Sequence, residues 1–203
     1  MSEDRRSDDY PLARRDVVRQ ITEGQDDLLV IAGLGSTAWD VTAAGDRDLN
    51  FPLWGAMGGA VAMGLGLALA QPERRVLVIT GDGDLTMGLG SLAAIGSAGV
   101  ANLAIVVLDN ERYGETGMQP SHTAQHLDLA GVAESCGFAE TRLVNDQAGL
   151  DVALPIIHQA PGPVAIIVKI KAEDLPRVLP PRDGAFLKDR FRAALLGEEQ
   201  AQA

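Results

Sequence analysis

The chain is expected to fold as an α/β domain built on a doubly wound parallel sheet with helices on both faces. Three observations carry that expectation. Candidate strands alternate with candidate helices along nearly the whole sequence. The strand segments, such as RVLVIT at 75–80 and LAIVVL at 103–108, are continuous apolar runs rather than alternations of apolar and polar residues. Runs of that kind belong to strands buried on both sides, the condition of a parallel sheet covered by helices. A chain of 203 residues suits one domain with short tails. The residues are 46% hydrophobic but only 4% aromatic, so Val, Leu, Ile and Ala must fill the core.

The elements follow in order. Residues 11–23 predict a helix with Leu12, Val17, Val18 and Ile21 on one side. Residues 28–32 are a short buried strand, ended by Gly33-Leu34-Gly35, and Ser36 is placed to cap a helix through about 44. A polar loop at 45–50, a short strand at 51–54 and a Gly/Ala-rich helix at 57–71 come next. The strand at 75–80 is β-branched and stops at Gly81. A helix at 85–98, a strand at 103–108 and a polar, glycine-containing loop at 110–123 succeed it. A helix at 127–136 stops at Gly137, strands are expected at 141–144 and 164–170, and a helix at 147–159 lies between them. A proline-rich connector at 176–183 leads to an amphipathic helix at 186–196 and a polar tail. The expected organisation is therefore a disordered N-terminal tail at 1–10, one domain at 11–175 and a C-terminal connector, helix and tail at 176–203, with no internal repeat.

Composition removes several function classes. A formal net charge of −11 repels nucleic acid and anionic lipid. Residues 51–70 carry no charge and approach the ~20 residues that cross a bilayer, yet they include Pro52 and five glycines, and a helix at 57–71 is too short to span. No signal peptide begins the chain, and a cytoplasmic location is expected. Cys136 is the only cysteine, which excludes an internal disulfide and any cysteine-built metal cluster; it reads as a small buried hydrophobe.

Ligands of such sheets sit at the carboxyl ends of the strands, so the loops after residues 32, 80 and 108 are the places to look. The second reads Gly81-Asp82-Gly83-Asp84. Glycines there let backbone N–H groups approach an anion at the start of a helix, while Asp82 repels a phosphate and can instead hold a divalent cation that holds it. The third reads Asp109-Asn110-Glu111-Arg112-Tyr113-Gly114, with Asn110 28 positions after Asp82. One helix and one strand fit between, so adjacent parallel strands bring both residues to one edge. A carboxylate, an amide oxygen, a main-chain carbonyl and phosphate oxygens suit magnesium.

Gly-Asp-Gly followed at this distance by Asn after a buried strand resembles the cofactor signature of thiamine diphosphate (ThDP) enzymes. The usual form ends in Asn-Asn, where this chain has Asp109-Asn110. The likeness covers roughly 28–168 and is to the pyrophosphate-binding domain of that superfamily. It implies Asp82, Asn110 and the carbonyl of Arg112 as magnesium ligands, and Gly81, Gly83 and Asp84 beside the diphosphate with Ser36 and Thr37. Tyr113 and Gly114 would complete that wall. Gly55-Ala56-Met57-Gly58 resembles the segment that holds the aminopyrimidine, with the Gly55 carbonyl accepting from the 4′-amino group and Met57 keeping the two rings of the cofactor bent toward each other.

Within the superfamily the chain is most similar to the small split-subunit decarboxylases of sulfopyruvate and phosphonopyruvate type. The loop from Tyr113 to Thr123 carries that likeness and implies Gln119, Ser121 and His122 as residues that orient a small 2-oxo acid, with His122 as a candidate proton carrier. His126 and His158 carry no such signal. The glutamate that activates the cofactor resides, in this superfamily, on a pyrimidine-binding domain for which this chain has no room. It is expected on a partner subunit, in a hetero-oligomer with the cofactor between the chains.

Other readings stay open. Gly33-Leu34-Gly35-Ser36-Thr37-Ala38 has the spacing of a dinucleotide fingerprint, but 51–58 lacks the acid that should bind a ribose. A ThDP-dependent carboligase, a 2-oxo-acid oxidoreductase subunit and a non-catalytic cofactor-binding subunit share the same motifs.

Overall fold

The computed structural model describes residues 6–201. Six parallel strands form one sheet in the order β2-β1-β3-β4-β8-β7. These are β1 (Leu29–Ala32), β2 (Asn50–Pro52), β3 (Val76–Gly81), β4 (Leu103–Asp109), β7 (Glu140–Val144) and β8 (Val164–Lys169). A small antiparallel pair, β5 (Arg112–Tyr113) and β6 (Gln119–Pro120), stands beyond the end of β4.

Each central strand is buried on both sides, as its sequence requires. Side chains alternate between faces along a strand, so Val30 and Ala32 point into one core cluster and Leu29 and Ile31 into the other. The first cluster is covered by α1 (Arg14–Thr22), α2 (Ser36–Ala44) and α7 (Gln147–Gln159), through Val17, Val18, Ile21, Trp39, Leu150 and Ile157. The second is covered by α3 (Ala60–Ala70), α5 (Ser91–Ala98) and α6 (Leu129–Ser135), through Val61, Leu92, Ile95 and Leu129. Gly64 of α3 sits so close to the sheet that a Cβ there would lie 2.2 Å from Val78 Cγ2, which explains one glycine of the apolar helix.

From β1 the chain crosses to β2 on one side, and it then returns to β3 on the other. The loops after β1 and β3 therefore leave adjacent strands in opposite directions. This opens a crevice at the carboxyl ends, the place where doubly wound sheets bind ligands.

Three differences from the sequence expectation have physical causes. The helix expected at 85–98 is two helices, α4 (Asp82–Met87) and α5, parted at Gly88-Leu89-Gly90. The Gly58 carbonyl presses against Gly88, where a Cβ would meet it at 2.1 Å, and Gly58 itself has φ +85°. The helix expected from 57 begins at Ala60, because Ala56 (φ 59°) and Gly58 hold the preceding turn outside helical geometry. The 110–123 loop is ordered as the β5–β6 pair with two 3-10 turns, Gly114–Thr116 and His122–Ala124.

The expected tails are also docked. Residues 1–5 of the N-terminal one lie outside the described residues, but Arg6–Asp9 form a 3-10 turn with Ser7 buried. Ala172 N donates to the Ser7 carbonyl at 2.9 Å. At the other end, α8 (Gly184–Leu196) starts at Asp183, whose carboxylate accepts from Ala185 N and Phe186 N. It places Phe191 in the second core, edge-on to Phe51 at 5.6 Å between ring centroids. Arg190 pairs with Asp46 at 2.7 Å.

Phe191→Ala should therefore behave as a core truncation and not as a tail change. The expected loss is about 3 kcal/mol in urea unfolding, and a loss below about 0.5 kcal/mol would show that α8 is peripheral.

Candidate functional site

The cavity at the crevice encloses about 160 Å³. Its wall comes from three strand ends and the helices that follow them. Ser36 and Thr37 open α2 after β1. Gly81, Asp82, Gly83 and Asp84 close β3 and open α4. Asn110, Arg112, Tyr113 and Gly114 follow β4. Met57 reaches in from the turn before α3. Residues from four separate stretches of sequence thus meet at one edge because β1, β3 and β4 are neighbours in register.

Asp82 is at the centre and is 2% exposed. One of its carboxylate oxygens, Oδ2, accepts from Ser121 Oγ and lies 3.1 Å from Thr123 Oγ1. Thr123 Oγ1 is also 2.7 Å from Asp109 Oδ1. Burial, and then the like charge of Asp109, push the Asp82 carboxyl up to about 7; the two hydroxyls pull it partly back. The two carboxylates are not equivalent. Asp109 has Lys169 Nζ at 2.7 Å, whereas no basic side chain among the described residues pairs with Asp82. Asp82 is therefore the member that takes up a proton or requires a cation.

Behind this pair lies a second layer of charge. Lys169 Nζ also contacts Glu111 at 2.7 Å, and Glu111 accepts from Arg6 Nε at 2.8 Å and Tyr10 Oη at 2.7 Å. Burial raises the Glu111 carboxyl, but these three donors outweigh it and hold it below the usual range. Burial and the Glu111 contact push the Tyr10 phenol up to about 12. Glu111 has φ 59°, and its N–H bonds Asp109 Oδ1 while Arg112 N–H bonds Asn110 Oδ1, both at 3.0 Å. These tight side-chain turns fix where the β4 end points its oxygens.

Asp84 has a structural task that its sequence context did not reveal. Oδ2 accepts from Thr80 Oγ1 and Oδ1 accepts from Gly58 N–H, each at 2.6 Å. It ties the Met57 turn to the Gly-Asp-Gly helix. Gly33 makes room for it, since a Cβ there would lie 2.2 Å from Asp84 Oδ2. The first glycine of the apparent dinucleotide fingerprint is thus explained by this carboxylate. Tyr113 lies against Gly83, where a Cβ would meet the ring at 2.6 Å, and burial followed by the Asp82 charge raises its phenol.

Of the residues expected around the substrate, none lines the cavity. Ser121 is 2% exposed and its hydroxyl donates to Asp82 Oδ2, which it helps to hold. Gln119 is exposed and closes on Thr116 through two hydrogen bonds. His122 is exposed, with Nδ1 2.8 Å from Tyr113 Oη. Gly55 is exposed beside Met57 and also lies outside the cavity wall.

The comparisons agree with this geometry. Residues 35–168 match the family of thiamine pyrophosphate enzymes, C-terminal TPP binding domain. The chain belongs to that family. It is 42% identical over 135 residues to the sulfopyruvate decarboxylase subunit beta of Methanothermobacter thermautotrophicus, covering 66% of this chain and 72% of that one. It is 35% identical over 180 residues to the phosphonopyruvate decarboxylase of Streptomyces viridochromogenes, covering 86% of this chain but 44% of that longer protein. Among solved structures, benzoylformate decarboxylase from Polynucleobacter necessarius superposes with a TM-score of 0.69 over 87% of this chain and 36% of that one. At 20% identity this likeness shows the shared fold. No helix among the described residues is long and apolar enough to cross a membrane.

Several members of the site escaped the sequence reading. Lys169 is a charge closing an apolar strand, in register with Asp109, and that pattern was visible. Thr123 had no signal beyond its place near Ser121. Arg14 falls on the apolar side of α1 with Val17, Val18 and Ile21, all buried, and an arginine in that row is a legible anomaly.

Two outcomes are expected. Because the folded pKa of Asp82 lies above its unfolded value, its ionisation destabilises the metal-free protein as pH rises through about 7. With chelator present, Asp82→Asn should be more stable than wild type at about pH 8, by on the order of 1–3 kcal/mol, and the gap should narrow as pH falls and close below about pH 4; thermal melts across pH read this, and a gap independent of pH refutes it. Asp84→Ala should release the Met57 turn, with faster thermolysin cleavage near residues 54–59 and about 2 kcal/mol lost; unchanged cleavage would mean that the turn holds itself.

Proposed function

We propose that this chain is the diphosphate-binding subunit of a ThDP- and magnesium-dependent decarboxylase of a small 2-oxo acid of the sulfopyruvate or phosphonopyruvate type. The observation that carries the reading is Asp82, a buried carboxylate without a basic partner among the described residues, beside Asn110 in a cavity at the switch point of the sheet. The donor set fits magnesium. A carboxylate, the Asn110 amide oxygen and the Arg112 carbonyl are hard oxygen ligands, and a cation there would relieve the repulsion between Asp82 and Asp109.

The wall fits the cofactor's charged end. Ser36 and Thr37 at the start of α2, and the N–H groups of Gly83 and Asp84, would receive the diphosphate. Tyr113 and Gly114 would close the side of the site. Met57, held by the Asp84 bond to Gly58, would keep the cofactor bent, and the Gly55 carbonyl would meet the aminopyrimidine. Bound ThDP supplies the electron sink into which a 2-oxo acid loses carbon dioxide. The residues of this chain anchor it, neutralise its charge and wall off water. Gln119 and His122, outside the cavity wall on the β5–β6 side, would meet a substrate where a second chain closes over that rim, with Tyr113 Oη 2.8 Å from His122 Nδ1 fixing the ring.

The activating glutamate is assigned to that second chain. Glu115 is the only glutamate lining the cavity among the described residues, and it accepts from Ser36 Oγ at 3.2 Å, at the end of the site meant for the diphosphate. The relative from Methanothermobacter is itself named as a beta subunit. Trp54, Met57, Met63 and Met87 are each 39–63% exposed, an apolar surface around the Met57 turn and α3 suited to cover by a partner.

Calorimetry with magnesium tests the reading, using the chain alone and with a co-purified partner. Tight ThDP binding is expected in the mixture, with aldehyde and carbon dioxide released from sulfopyruvate or phosphonopyruvate. Asp82→Ala should keep its fold and lose magnesium-dependent binding by about a hundredfold or more. Retained binding in that variant refutes the metal assignment, and no ThDP binding in either wild-type sample refutes the function.

A further inference from the structure

Arg14 is the first residue of α1, and its side chain is 5% exposed. It lines the cavity from the face of the sheet opposite to the one that bears Met57 and α3. Its Nε lies 3.0 Å from Asp40 Oδ2, but the geometry makes no hydrogen bond, and both atoms are buried without one. No hydrogen bond from any guanidinium nitrogen of Arg14 to a described residue is formed; Asp40 takes its hydrogen bond from Arg15 at 2.9 Å instead. A guanidinium carries five N–H donors in a fixed fork. Of these the Nε donor is buried without an acceptor, which costs more than leaving it in water.

Net charge is not what singles out this residue. Asp40 is shared by Arg14 and Arg15, and the Glu173 charge is close enough to act on Asp40. Two arginines therefore face two carboxylates. What is distinctive is a guanidinium that lines the cavity at the switch point and makes no hydrogen bond to a described residue. The chemistry that satisfies such a fork is a pair of oxygens on one tetrahedral or planar anion.

We propose that Arg14 grips the outermost phosphate of the bound diphosphate. This rests on the cavity being the diphosphate site. Met57 marks the ring end of the cofactor from the α3 face. Asp82 and Asn110 come off the strand ends that separate the two faces. Arg14, entering from the α1 face, is left the far end. An arginine there reads the length of the polyphosphate, because a ligand with one phosphate fewer does not reach it. Asp40 and Arg15 position the guanidinium and do not touch the ligand.

The test uses the chain with its co-purified partner and magnesium, with ThDP and thiamine monophosphate titrated by calorimetry against wild type, Arg14→Met and Arg14→Lys. Arg14→Met should weaken ThDP about tenfold or more and change thiamine monophosphate by less than about twofold. Arg14→Lys, which keeps the charge but loses the fork, should fall between. Melting of the ligand-free variants checks folding: a cooperative transition in each shows that a change in binding is not a loss of fold. Equal weakening of both ligands, or of neither, overturns the proposal. If wild type binds no ThDP, the functional reading fails separately, and magnesium pyrophosphate becomes the probe. Its loss in Arg14→Met sustains Arg14 as a diphosphate arm, and its failure to bind wild type overturns that too.

Discussion

Asp82 lies buried at the end of β3, its carboxylate held by two hydroxyls that the chain supplies 39 and 41 residues later, and much of the local architecture exists to keep it there. Ser121 and Thr123 reach it only because the β5–β6 pair folds the long loop back over the strand ends. Thr123 in turn couples it to Asp109, and Lys169 neutralises Asp109 from the neighbouring strand. The result, among the described residues, is a carboxylate paired with a lysine beside one with no basic partner. Low dielectric amplifies both the attraction and the repulsion, so the second is tuned far from its usual range.

The same economy of contacts runs outward from this pair. Lys169 is shared with Glu111, and Glu111 holds Arg6 and Tyr10, so the segment ahead of α1 is tied down by the rear of the site. On the other face Asp84 fastens the Met57 turn, and Gly33 and Gly88 exist without side chains because Asp84 and the Gly58 carbonyl occupy that space. A change at any of these positions reaches the cavity through one or two hydrogen bonds. The site is rigid where it faces strand ends, and it is open and apolar where Trp54, Met57 and Met87 face outward.

The position of Arg14 extends this picture. Helix α1 packs Val17, Val18 and Ile21 against the sheet, which leaves its first turn at the carboxyl ends of the strands. The residue on the apolar side of that turn must point either into the core or into the cavity. Arg14 does both, pairing with the buried Asp40 while it lines the cavity.

By itself the sequence determined the parallel sheet, its strands and the Gly-Asp-Gly and Asn110 pair, because buried two-sided strands leave continuous apolar runs and backbone turns leave glycines. Those are local consequences of burial and can be read along one line of residues. It did not determine which oxygens meet. Ser121, singled out from its loop, meets Asp82, a contact the sequence did not announce. Thr123, Lys169 and Arg14 lie 41, 87 and 68 positions from Asp82 along the chain and had no local pattern tying them to it. The tertiary structure decided these, along with the split between α4 and α5, because hydrogen bonds act over about 3 Å in space and strand order, not chain order, sets which loops come within that reach.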